Sequence, residues 1–238
     1  MDKYSNNLIG FEVEGLSDGE LINRGQLLRL LLKLDNRIIL SDDGSLRTNN
    51  GIKVSNAPEQ DNFYGEDGLQ FSYEIKTPPL YPYHALELLK KIFNLIEKYG
   101  YVNSTCGIHL NISSLDKNLT SKINLLNFAI HPIWIKLGKA FKRNKNKTCY
   151  NSLIDIKGIR GKRRWKKIYN LGRELYNKRR YVTFRHWTGS ERGRLEVRIM
   201  GGENYHRKFN LIKEYTEKIL DIFNNAAGSQ FIPKKAKF

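Results

Sequence analysis

Four short stretches of this chain alternate apolar side chains with chemically active ones, and that alternation commits the chain to a sheet with one apolar face. They are FEVE (Phe11–Glu14), FSYEIK (Phe71–Lys76), GIHLN (Gly107–Asn111) and RLEVRI (Arg194–Ile199). Side chains alternate across a strand with period two. Phe11 and Val13 therefore oppose Glu12 and Glu14, and Tyr73 and Ile75 oppose Glu74. Ile108 and Leu110 oppose His109 and Asn111; Leu195, Val197 and Ile199 oppose Arg194, Glu196 and Arg198. Clustered carboxylates repel one another unless cations share their site. The polar front therefore reads as a metal and phosphate site.

A chain of 238 residues with 40% hydrophobic content buries a sizeable core, most simply as one domain. The expected boundaries are a catalytic domain over 1–225 and a basic tail over 226–238. The start, MDKYSNNLIG, has no apolar run of the secretory kind, and no stretch of about 18 apolar residues could span a bilayer. The expectation is a cytoplasmic protein with no membrane partner, in the host cytoplasm if the chain is viral. Cys106 and Cys149 are too few for a disulfide framework or a four-cysteine zinc site, and Cys106 reads as a small buried residue.

The formal charge of +17 is concentrated. Lys139–Arg180 carries 16 Lys or Arg against Asp155 and Glu174. Such a segment is often a solvated face, but it would also attract an acidic partner or nucleic acid. GIRGK (Gly158–Lys162) is too short for a Walker A loop, and no Gly-x-Ser-x-Gly nucleophile motif is present.

Periodicity predicts a strand over Asn7–Glu14, a helix over Gln26–Leu34, a strand over Arg37–Leu40 and a turn at DDGS (Asp42–Ser45). Thr48–Gly68 reads as a long loop. A strand over Phe71–Lys76 stops at Pro78 and Pro79, which offer no ladder donor. A helix over His84–Gly100 ends on a glycine cap, and GIHLNIS follows as a strand. Ser121–Phe141 is a helix that Pro132 kinks or splits. Lys157–Arg180 is expected to be partly helical. Tyr181–Trp187 and Arg194–Met200 form a hairpin across Thr188–Gly193, and Tyr205–Asn224 is the last helix. This order implies an α+β fold.

Glu12 and Glu14 make a hard-oxygen pair suited to Mg²⁺ or Mn²⁺, although most Glu-x-Glu pairs are plain surface. Glu74 offers a third carboxylate. His109 lies between apolar neighbours beside Gly107, whose missing Cβ permits close backbone approach. Arg194, Glu196 and Arg198 would ordinarily be a salt-bridge ladder. Four such coincidences on one sheet face favour a shared site.

Taken in order, GFEVEG (Gly10–Gly15), DDGSL (Asp42–Leu46), YEIKTPPL (Tyr73–Leu80), CGIHLNIS (Cys106–Ser113) and RLEVRIMGGENYH (Arg194–His206) resemble the glutamine synthetase and glutamate–cysteine ligase superfamily. Within it they are most similar to the compact amidoligase branch of ATP-dependent carboxylate–amine ligases. The resemblance implies a glutamine-synthetase-like catalytic fold: a curved, mostly antiparallel sheet with helices packed on its convex apolar face. It implies that Glu12, Glu14, Glu74, His109 and Glu196 hold two or three Mg²⁺ ions, with Mn²⁺ as a substitute. Arg198 would contact the γ-phosphate of ATP, and Arg194 a phosphate or the substrate. The family often has His-x-His where this chain has His109 and Asn111; Asn111 can lend an amide oxygen but no imidazole.

The implied reaction is amide formation through an acyl phosphate. ATP phosphorylates a substrate carboxylate, and an amine then attacks. Phosphoryl transfer needs positioning and charge cancellation, which Mg²⁺ and arginine supply. Glu74 and Arg198 are candidate catalytic groups, and Asp43 could hold or deprotonate the amine, unless it merely forms its turn. The branch has small phage-encoded and bacterial members, so a peptide or protein substrate is an expectation. Two alternatives stand beside the ligase: a metal-dependent amide hydrolase on the same cluster, and a basic nucleic-acid-binding protein on a degenerate ligase fold.

Overall fold

The computed structural model describes residues 3–43, 45–47, 70–116, 123, 125–143, 181–183 and 193–226. The expected loop over Thr48–Gly68, the partly helical stretch over Lys157–Arg180 and most of the 139–180 basic segment lie outside them. The described residues form an α+β fold with an antiparallel sheet and a few helices. The chain divides into two compact units. The first comprises Met1–Leu8, Ile112–Ile199 and Glu214–Phe238; the second comprises Ile9–Asn111 and Met200–Lys213.

In the second unit the strands are β1 (Asn7–Ser17), β2 (Ile39–Ser41), β3 (Ser72–Lys76), β4 (Gly100–Tyr101) and β5 (Ile108–Ser114), with β1 and β5 contributing residues to both units. Their order is β2-β3-β1-β5, and β4 pairs with β1. Alternation sorts the faces as the sequence predicts: Phe11, Val13, Tyr73, Ile75, Ile108 and Leu110 are all buried. Burying such a side chain contributes roughly 1.5–3 kcal/mol. β1 runs three residues past its expected end, because Leu16 finds partners on both β3 and β4 and Ser17 finds one on β4.

Helix α1 (Arg24–Leu34) starts earlier than its apolar periodicity suggests. Asn23 caps it: its side chain accepts the Gln26 N–H at 2.9 Å, and Gln26 Oε1 accepts the Asn23 N–H at 3.0 Å. Such a reciprocal box satisfies two otherwise orphaned donors. Helix α2 (Pro82–Tyr99) begins with proline at its first position, where no donor is needed. It buries Leu89, Ile92, Phe93 and Ile96, and touches α1, β4 and a 3₁₀ turn at Tyr205–Lys208. Phe93 meets Tyr205 edge-on at 5.7 Å.

Gly100 does end α2, but not as a left-handed cap. Its φ is −167°, and it enters β4 directly. Glycine is needed there for contact: a Cβ would collide with the Leu16 carbonyl on the paired strand. Gly15 is similar, since the Tyr73 ring lies over it across the β1–β3 pair, where a Cβ would come within 2.5 Å of the hydroxyl.

In the first unit the expected helix over Ser121–Phe141 is two helices, α3 (Leu125–Ala129) and α4 (Ile133–Ala140). Pro132 stands at the junction as the N-cap of α4; it cannot donate to a continuous helix. Trp134 Nε1 closes the corner by donating to the Phe128 carbonyl at 2.7 Å, and the two rings meet at 5.3 Å. The last helix, α5 (Phe209–Asn225), packs Phe223 against Phe128. Strands β6 (Val182–Thr183) and β7 (Leu195–Val197) are antiparallel partners, as the hairpin reading requires, and follow β5 in the order β5-β7-β6. The expected turn between them lies outside the described residues. β7 is shorter than RLEVRI suggests: Arg194 and Arg198 flank it, though Arg198 still donates its N–H to Tyr181 at 2.7 Å. Among the described residues, no helix is long and apolar enough to cross a membrane.

Candidate metal centre

Strand register sets the acidic front of the second unit. Glu12 lies opposite Lys76 and Glu14 opposite Glu74 across the β1–β3 pair. Like charges directly opposite are destabilising, and the structure separates these two. Glu14 turns to the backbone of Gly107, whose N–H it accepts at 2.5 Å on Oε2. Glu74 turns to Lys76, with Nζ to Oε2 at 2.8 Å, and accepts the Ser41 hydroxyl at 3.3 Å.

His109 arrives from β5 between the β1 carboxylates. Its Nδ1 is 3.2 Å from Glu12 Oε2 and its Nε2 is 3.4 Å from Glu14 Oε1. Asn111, two residues on and so on the same face, donates its amide N–H to Glu12 Oε1 at 3.1 Å. The Asn111 oxygen is then buried without a hydrogen-bond partner. Glu12, Glu74 and His109 each bring one ligand atom to within 4.8 Å of the others.

This donor set fits a hard divalent cation. Two carboxylates and an imidazole converge, the arrangement is half to fully buried, and a neighbouring amide oxygen lacks a donor. Three residues outside the candidate ligands hold the acidic front in place. Lys76 places a cation against Glu74; the EIK spacing puts both on one strand face, so that role was readable. The Tyr205 hydroxyl donates to the Glu14 backbone carbonyl from the start of the 3₁₀ turn. Only its inclusion in the GGENYH stretch hinted at it, because the contact spans most of the chain. Gly107, expected to permit close approach, exchanges two hydrogen bonds with Glu14 and bridges Gly201.

Among the remaining candidates, local contacts engage Asp43, Glu196 and Arg198. Asp43 Oδ1 accepts both the N–H and the hydroxyl of Ser45, at 2.9 and 2.5 Å, and so forms the turn. In the first unit, Glu196 is buried on β7 and pairs with the guanidinium of Arg198. Arg194 lies just before β7 and is exposed. Cys106 is fully buried, and burial pushes its thiol up to about 12; it is the small core residue its position suggested.

No protein-family model matches this chain, and no curated protein does. Among solved structures it is similar to a cryo-EM structure of glutamine synthetase from Plasmodium falciparum, with TM-score 0.43 and 11% identity. The match covers 94% of this chain and 52% of that one, so the chain spans about half that protein's length.

Proposed function

We propose that this chain is an ATP- and Mg²⁺-dependent carboxylate–amine ligase that forms an amide through an acyl phosphate. The observation that carries the reading is the convergence of Glu12, Glu74 and His109, with the unsatisfied Asn111 oxygen beside them. The ordered motifs from GFEVEG to RLEVRIMGGENYH give the cluster its ligase context.

In this reading Glu12, Glu74 and His109 hold a divalent cation, and Asn111 offers it an amide oxygen. Bound there, the cation would offset the negative charge that gathers during phosphoryl transfer. Glu14 serves mainly to fix β1 against Gly107, with its second oxygen turned toward His109. Arg198 and Arg194 enter as phosphate contacts, and Glu196 as a further carboxylate, through the E-x-R motif. A carboxylate oxygen of the substrate takes the terminal phosphoryl group of ATP as ADP leaves. The amine nitrogen then displaces phosphate from the acyl carbon and gives up a proton.

Incubation of the full chain with ATP, Mg²⁺ and paired carboxylate and amine libraries tests this. ADP release that requires both substrates is the expected result, and Glu12→Gln and Arg198→Ala should abolish it while the protein stays folded. Cleavage of an amide without ATP would instead identify a hydrolase. Wild-type turnover in Glu12→Gln would contradict the assignment.

A further inference from the structure

The second unit carries a groove built from residues other than the acidic cluster. Among the described residues, Leu21, Ile22, Leu30 and Leu32 line an open concavity of about 560 Å³, with Arg29 and Lys33 beside them. Leu21 is 57% exposed and Leu32 38%. Single exposed leucines are ordinary, but here two of them border a concave surface that a partner's apolar side chains can enter.

The electrostatics of α1 select the occupant. The helix, RGQLLRLLLKL, contains no acidic residue. Neighbouring cations are paired: Arg24 with Asp42, and Arg37 with Asp35. Arg29 and Lys33 enter no ion pair among the described residues. Four apart on one helix, they lie on the same side, and like charges at that spacing weaken a helix. An anionic partner would turn that cost into a gain.

We infer that this groove docks an acidic amphipathic segment of a partner protein, its apolar side chains entering beside Leu21 and Leu32 and its carboxylates meeting Arg29 and Lys33. A second copy of the chain fits less well, since it would bring the same two cations and a further charge of +17 to a self-facing contact. Membrane surfaces suit apolar side chains that protrude into the lipid, whereas this surface is concave. Small-molecule sites are largely enclosed; this concavity is open, with Gln26, Tyr99 and the two cations as its polar lining.

Selection of a displayed random-peptide library on the full chain tests the inference. The parallel bait carries Leu21→Asp, Arg29→Glu, Leu32→Asp and Lys33→Glu, with circular dichroism confirming its fold. Should that variant unfold, Leu21→Asp and Lys33→Glu replace it as separate baits, both at accessible positions. Sequences enriched on the wild type should place leucine-like residues at helical spacing, flanked by Glu or Asp, and bind the variant at least about tenfold more weakly. Arg29→Glu/Lys33→Glu should instead prefer the same peptide with lysines in place of its acids. The inference fails if nothing is enriched on the wild type over the variant, or if the enriched peptides are basic or indifferent to the charge swap. It also fails if the four substitutions abolish only binding to phosphatidylserine vesicles, or only self-association in sedimentation.

Discussion

Glu14 and Gly107 hold each other at two points. The Glu14 N–H reaches the Gly107 carbonyl at 3.0 Å, and the Gly107 N–H reaches Glu14 Oε2 at 2.5 Å. Glu14→Ala would leave a buried N–H without an acceptor, at a cost of about 1–3 kcal/mol. Glu14→Gln keeps an acceptor oxygen and should lose much less. Guanidinium unfolding midpoints of the two variants check this; equal losses would mean that charge, not the acceptor, is what Glu14 supplies.

Asn111→Asp should behave oppositely with and without a cation. It replaces a 3.1 Å amide–carboxylate hydrogen bond with a contact between two carboxylates. The metal-free protein should melt several degrees lower, and millimolar Mg²⁺ or Mn²⁺ should restore more of the loss than it adds to the wild type. Calorimetric melts with and without EDTA give the comparison.

Gly100→Ala should destabilise the protein by about 1–3 kcal/mol, as forced overpacking does. The new methyl meets the Leu16 carbonyl, a backbone atom that cannot swing away. The φ of −167° is open to any residue, so a neutral result in denaturant titration would show that β4 can shift away from β1.

Acid should weaken the fold below neutrality. Burial holds the His206 imidazole below its ordinary range, against the opposing pull of Glu97, whose carboxylate is 2.7 Å from Nε2. Burial acts likewise on His131. In each case the unfolded chain takes up a proton near pH 6.5 while the folded chain still resists, so stability falls as pH drops below that value. Each group contributes at most about 1.4 kcal/mol per pH unit. His206→Gln should flatten the dependence of melting temperature on pH between 7 and 5.5; an unchanged slope would exclude His206 as its source.

The elements easiest to read were those where one period dominates. The alternation in β1, β3 and β5 places Glu12, Glu74 and His109 on a common face, and the apolar spacing of α2 gives its length to within two residues. What local pattern missed depends on distant partners. The extension of β1 needs β4, and the role of Gly100 needs the Leu16 carbonyl. The tether from Tyr205 to Glu14 joins residues at opposite ends of the chain. Apolar periodicity places the start of α1 too late, because Asn23 and Gln26 mark its beginning by capping rather than by hydrophobicity. RLEVRI alternates over six residues, and Leu195–Val197 are the part of it described as strand, with the Arg198 N–H donating to Tyr181 just beyond.

Lys76 changes the ionic arithmetic of the strand front. With a neutral imidazole, the three carboxylates Glu12, Glu14 and Glu74 outweigh this single ammonium by two negative charges. One doubly charged ion would bring the group to electroneutrality, and any further one would leave an excess of positive charge. Under the proposed function, any ion beyond the first should therefore be taken up only together with an anion such as a polyphosphate, so that a second metal and the nucleotide would arrive as joint cargo.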